Sequence, residues 1–107
     1  MALTITSHAP HPGHLALTLA GELDLAAADA LRDAVTEAVK SPDVDAVLVD
    51  LDGVTFLDST GIGVLVAGWR AANDGGKRLR IDNAHGMARE VLHITGVWSA
   101  LSGEDTG

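Results

Sequence analysis

Val47-Leu48-Val49-Asp50-Leu51-Asp52-Gly53-Val54-Thr55-Phe56-Leu57-Asp58-Ser59-Thr60-Gly61-Ile62-Gly63 is the stretch on which the fold turns. Its opening, Val47 to Leu51, is a short β-branched apolar run, which predicts a buried strand. Asp52-Gly53 predicts a turn. Residues 54–57 then lead into Asp58-Ser59-Thr60-Gly61. Beyond that point Ile62, Leu65, Val66 and Trp69 recur at steps of three and four, the apolar face of a helix. Gly75-Gly76 closes that helix.

Outward from this centre the chain alternates strands and helices. Towards the N-terminus, residues 25–40 are alanine-rich, with Leu31, Val35, Ala38 and Val39 at helical spacing, and Pro42 ends the run. Asp24 precedes it in a capping context. Leu15, Leu17 and Leu19 alternate with small or polar residues, as a strand does. Residues 8–14 carry Pro10, Pro12 and Gly13 and predict a turn, and residues 3–7 predict a weak strand. Towards the C-terminus, residues 78–82 alternate as a strand. Residues 86–95 predict a third helix with Met87, Val91 and Ile94 on one side. Residues 97–101 predict a short extended piece and residues 102–107 a frayed tail. Alternating strands and helices imply parallel pairs with right-handed crossovers. The expectation is one α/β domain over residues 1–107, with a core of about 3–101. Its sheet is mixed and four- to five-stranded, with the helices mainly on one face.

Ser59 stands where a helix begins, so unpaired N–H groups and the positive end of the helix dipole lie beside it. A hydroxyl there can cap the helix, and a phosphate there would be accepted by the same N–H groups. Gly61 and Gly63 leave the first turn uncluttered for an approaching partner. Periodicity alone favours the plain reading, in which Ser59 or Thr60 is a cap.

Three segments change that balance. Gly21-Glu22-Leu23-Asp24, Val47-Leu48-Val49-Asp50-Leu51 and Val54-Thr55-Phe56-Leu57-Asp58-Ser59-Thr60-Gly61-Ile62-Gly63 closely resemble the STAS family, and within it bacterial anti-sigma-factor antagonists. Gly75-Gly76 and Thr95-Gly96-Val97 fit the same pattern, so the resemblance runs from about residue 3 to about residue 101. It implies a sheet backed by helices with Ser59 exposed at a helix start. It further implies a non-enzymatic partner switch. The unphosphorylated protein binds an anti-sigma factor with serine kinase activity and so frees the sigma factor. Phosphorylation of Ser59 separates the pair, and a serine phosphatase restores the hydroxyl. By the same resemblance, Asp24, Asp58, Ser59, Thr60, Gly61 and Ile62 form the partner-binding surface. Asp24 and Asp58 each keep a plain alternative, a helix cap and a solubilising turn residue. Many antagonists end in a further amphipathic helix; the sequence stops near Leu101 with a polar tail, which leaves two readings, self-association as a homodimer over an exposed edge or a minimal variant of the family. Two alternatives share the fold: a STAS scaffold that is never phosphorylated, and a STAS subunit of a lipid-transport ABC complex.

Composition narrows the partners. The 107 residues are 47% apolar and carry a formal net charge of −8 from 15 acids and 7 bases. That charge disfavours nucleic acid and anionic membrane surfaces. Composition alone favours the plain reading, in which the acidity keeps the chain soluble, over the sharper one of a basic protein partner oriented by the field. Cysteine is absent, which fits a reducing compartment. No apolar run is long enough to span a bilayer and residues 1–6 lack signal-peptide character, so a cytoplasmic protein is expected. No cofactor is expected. Ser59 lacks the Gly-x-Ser-x-Gly elbow and an evident histidine base. Gly61-Ile62-Gly63 begins a dinucleotide fingerprint, but position 66 is valine where a third glycine is needed. His8, His11 and His14 are spaced by three, but they lie among prolines without carboxylates, so no metal site is expected. Trp69 and Trp98 are expected to pack against the core.

Overall fold

Strand periodicity begins near the N-terminus and builds the sheet outward from a hairpin. In a computed structural model, which describes residues 2–102, β1 (Thr4–His11) and β2 (Gly13–Leu23) pair antiparallel. α1 (Ala28–Lys40) then crosses to β3 (Val44–Leu57), which runs parallel to β2. α2 (Ser59–Asp74) crosses to β4 (Arg78–Asp82), parallel to β3. α3 (Gly86–Ile94) packs on β3, and α4 (Trp98–Ser102) on β4 and α2. The four strands lie in the order β1-β2-β3-β4. The sheet is mixed, as expected, because a short hairpin can join only antiparallel neighbours whereas parallel ones need a crossover.

Alternation along the strands decides which face is covered. Leu17, Leu19, Val47, Val49, Leu51, Leu79 and Ile81 are buried together with Leu31 and Val35 of α1 and Leu65 of α2. A side chain of this size stabilises the fold by about 1.5–3 kcal/mol when fully buried. The opposite face presents Thr4, Thr6, His8, His14, Arg78 and Arg80, all exposed. Trp98 is buried and Trp69 half-buried, so both pack against the core.

Five local expectations change. Residues 8–14 are mostly strand rather than turn: β1 continues to His11 and β2 starts at Gly13, with a single residue between them. Asp52-Gly53 is not a turn: β3 runs through it to Leu57, and the pairing with β2 slips between Thr18 and Ala20. This is a bulge, and Gly53 fits it because a Cβ there would lie 2.8 Å from that of Ala20. The first helix begins at Ala28, since residues 24–27 form a tight turn in which the Ala27 N–H donates to the Asp24 backbone carbonyl at 3.1 Å. Residues 98–102 are helical rather than extended; the Leu101 N–H donates to Val97 O, and Trp98 and Leu101, three apart, are buried together. Finally, α3 buries Ala88 and Leu92, while Met87 and Ile94 are exposed. The two stripes are one residue apart on the helix, and small Ala88 permits the closer approach. The expected frayed tail begins at Ser102, which is the last residue of α4; residues 103–107 lie outside the described residues.

No periodicity or motif singles out Lys77. Its ammonium donates to the carbonyls of Val39, at 2.6 Å, and Ser41, at 2.5 Å, at the C-terminal end of α1. Terminal helix carbonyls have no intrahelical donor, and a cation is favoured there by the helix dipole. Lys77→Met is therefore expected to lower unfolding stability by about 1–2 kcal/mol in urea titration, given the worth of charged hydrogen bonds. Exposed Lys40→Met, on the same helix turn, is expected to cost less than about 0.5 kcal/mol.

Candidate functional site

The parallel strands β2 and β3 end in register, with Leu23 opposite Leu57. Asp24 and Asp58 are the next residues, so they leave adjacent strands side by side. The Asp58 N–H still donates to Leu23 O at 3.4 Å. Thr55 Oγ1 donates to Gly21 O at 3.3 Å and ties the same two strands together. The site thus lies at the C-terminal edge of the parallel part of the sheet.

Asp58 is the cap of α2. Its backbone is extended, and its Oδ1 accepts from the N–H groups of Thr60 at 3.0 Å and Gly61 at 3.1 Å. Its carbonyl accepts the first helical bond from the Ile62 N–H at 3.0 Å. The expected hydroxyl cap is therefore replaced by a carboxylate cap. Ser59 becomes the first residue inside the helix. It is exposed, and among the described residues its hydroxyl makes no hydrogen bond. Thr60 is half-buried and contributes its N–H to Asp58. The preference of aspartate for the position before a helix is the signal that identifies this cap.

The cap alters what a phosphate would meet. The N–H groups of Thr60 and Gly61, expected to receive it, already serve the Asp58 carboxylate. A phosphate on Ser59 would lie beside that carboxylate, with Asp24 at the end of the neighbouring strand.

Gly61 and Ile62 face inward. Both are buried, and a Cβ on Gly61 would lie 2.7 Å from Leu23 Cγ and 2.8 Å from Leu23 O. The missing side chain at Gly61 thus lets α2 approach β2, rather than clearing space for a partner. Gly63 is exposed, and a Cβ there would meet nothing within 4 Å. Asp24 is half-buried, and its Oδ1 accepts from the Ala27 N–H at 3.1 Å. It caps the turn before α1 rather than the helix itself. The next residue, Leu25, is 73% exposed, and Phe56, two before Asp58, is 39% exposed. The sequence placed Leu25 in a helix, which hid an apolar group standing beside the site.

The histidines do not form part of it. The rings of His11 and His14 meet at 4.1 Å at the hairpin end, and among the described residues no group of three or more metal-ligating side chains assembles. Among the same residues, no helix is long and apolar enough to cross a membrane.

Two sets of variants test this geometry by urea unfolding. Asp58→Ala is expected to cost about 1 kcal/mol by loss of the cap, and Asp58→Asn to restore most of it. Gly61→Ala is expected to cost about 1–3 kcal/mol by overpacking against Leu23. Gly63→Ala, in open space within a helix, is expected to stabilise by roughly 0.5–1 kcal/mol.

Comparison with known proteins follows the same lines. The family model described as "Mlab, STAS domain" matches residues 7–101. An anti-sigma F factor antagonist of Paenibacillus polymyxa is 25% identical over 91 residues, covering 85% of this chain and 78% of that protein. The anti-sigma-F factor antagonist RsfB of Mycobacterium tuberculosis is 39% identical over 66 residues, 62% of this chain; the match spans about half of that relative, 52% of its length. The crystal structure of an anti-sigma factor antagonist from Mycobacterium paratuberculosis superposes with a TM-score of 0.81 at 28% identity, covering 94% of this chain and 83% of the other. With a family model matched over nearly its whole length and a sheet and helix layer that superpose on such a relative, this chain belongs to the STAS domain family.

Proposed function

We propose that this protein is an anti-sigma-factor antagonist switched at Ser59. The unphosphorylated form binds an anti-sigma factor with serine kinase activity and so releases the sigma factor. The relatives named above are described as anti-sigma-factor antagonists. The observation that carries the reading is the Ser59 hydroxyl, exposed and without a hydrogen bond among the described residues, on a helix already capped by its neighbour. A kinase can take this oxygen without unmaking any contact in the fold.

Contact with the partner falls to the side chains of Asp24, Asp58, Ser59 and Thr60. Gly61 and Ile62 act from beneath, holding the first turn of α2 against Leu23. The net charge of −8 favours a partner with a basic face. In the transfer, the Ser59 oxygen bonds to the γ-phosphorus of ATP bound by the partner. The bond to the ADP oxygen breaks, and the serine proton passes to a base of the kinase. This chain supplies the acceptor and neither cofactor nor metal. A serine phosphatase reverses the step, and the cycle belongs to the cytoplasm.

Phosphorylation adds about −1.5 to −2 charge and strong acceptors. With Thr60 and Gly61 N–H committed to Asp58, the added charge is not absorbed by the helix end. It projects towards the partner next to an existing carboxylate. A loss of about 1.4 kcal/mol already weakens binding tenfold.

One feature of the site also favours a second reading. The occupied N–H groups leave a phosphate without a ready cradle, as suits a STAS scaffold, or a STAS subunit of a lipid-transport ABC complex, that is never phosphorylated.

Affinity capture with wild-type, Ser59→Ala and Ser59→Asp protein separates the two, with mass spectrometry of partners and of Ser59. The switch predicts a kinase-fold partner retained by wild type and Ser59→Ala and bound at least tenfold more weakly by Ser59→Asp. Unfolding stability is expected to change by less than about 0.5 kcal/mol, as for other exposed substitutions. Equal retention by all three baits, or transporter subunits in their place, would displace it.

A further inference from the structure

The face of the sheet opposite the helices carries a cavity of about 380 Å³ whose lining includes His11, His14, Ala16, Leu48, Arg78 and Arg80, with Pro10, Leu15, Ala46 and Val47 beside them. Register explains its composition. His11, His14, Ala46 and Arg78 lie on one rung across the four strands, and His8, Ala16, Leu48 and Arg80 on another. The first rung runs from two histidines through Ala46 to Arg78, and the second from His8 through Ala16 and Leu48 to Arg80. With strands about 4.8 Å apart, the walls stand roughly 14 Å from each other across β1 to β4.

The charge balance is unusual for this chain. The protein has 7 bases against 15 acids, yet no acid lines this cavity. Acids return on the adjoining rung, at Asp50 and Asp82. Even so, among the described residues Arg78 and Arg80 make no ion pair or hydrogen bond. Cationic residues on a short edge strand guard against strand-to-strand association. That accounts for the arginines, but for neither the histidine wall nor the concave apolar floor between them. The volume falls within the range of small-molecule sites, which pair an apolar lining with a few convergent polar groups.

We propose that this face binds a small organic anion. Its carboxylate or phosphate is held by the paired guanidinium groups of Arg78 and Arg80, which suit planar bidentate recognition of either group. Its apolar body lies on Ala16, Ala46 and Leu48, against the histidine rings. The site is separate from Ser59, and the proposal does not depend on the switch.

The test is a ¹H–¹⁵N NMR titration of the 107-residue protein with phenyl phosphate, benzoate and inorganic phosphate. Phenyl phosphate or benzoate is expected to give saturable shifts at the Ala46, Val47, Leu48, Arg78 and Arg80 amides, with Ser59 and Gly63 unmoved. The stronger of the two identifies the anionic group. Arg78→Gln/Arg80→Gln, at exposed positions, is expected to raise Kd at least tenfold with an otherwise unchanged spectrum. Absence of saturation with both aromatic probes would overturn the proposal. So would an unchanged Kd in the double variant, or inorganic phosphate binding as tightly as phenyl phosphate.

Discussion

Two hydrogen bonds into one carboxylate oxygen, from Thr60 and Gly61 to Asp58, set the character of the whole site. A helix start must satisfy several backbone donors, and a nearby hydroxyl is an obvious recruit. Had Ser59 capped α2, its oxygen would be occupied, and modifying it would cost the cap. With Asp58 in that role, the hydroxyl one residue on belongs to the helix and to solvent. The same carboxylate fills the positively polarised end of the helix. It therefore fixes both the availability of Ser59 and the poor reception of added negative charge beside it.

The cap works because the backbone beneath it is fixed. β2 and β3 end in register, and Gly61 lies so close to Leu23 that no side chain fits between. Ile62 follows into the core. An exposed group carried on a first turn held this closely has little freedom to respond by local rearrangement. Charge added there acts mainly on whatever is docked against it. At physiological ionic strength such a charge is screened beyond roughly 8 Å. Under the proposed switch, the partner groups it would disturb are those within the first layer of contact, where desolvation makes such a disturbance large.

The order and direction of the main elements were legible because each obeys one strong period. Strand alternation in residues 15–19 and 78–82 and the helical spacing of Ile62, Leu65, Val66 and Trp69 all carry through to the structure. The places where local signals failed share a cause. Asp52-Gly53 is a good turn in isolation, yet pairing with β2 along its length holds β3 extended through it. Residues 98–102 are too short to show a helical period, and only the burial of Trp98 with Leu101 selects the helix. In α3, hydrophobicity favoured Met87 and Ile94, while close approach favoured Ala88. Lys77 reaches backbone carbonyls 36 and 38 residues away, a relation invisible to any window along the chain. At the site itself the motif located Ser59 correctly at a helix start. The assignment of the cap needed the geometry, because aspartate, serine and threonine in succession are all competent caps.

The Ser59 surface and the open-face cavity occupy opposite ends of the sheet. Asp58 and Ser59 follow the C-terminal end of β3, whereas His14, Ala46 and Arg78 lie near the N-terminal ends of β2, β3 and β4. Leu57 is eleven residue steps beyond Ala46 on β3, on the order of 30 Å along the strand. That exceeds the screening length several-fold, so charge placed at one end has no useful electrostatic effect at the other. Coupling between them would have to be mechanical, through a strand that has two alternative arrangements. β3 is bonded to a neighbour on both sides over Ala46 to Asp50 and continues to pair with β2 as far as Leu57. Packed and doubly bonded at its centre, it is a poor candidate for such an element. An anion on the open face and a protein at Ser59 are accordingly expected to bind without influencing one another, as two independent inputs carried by one small sheet.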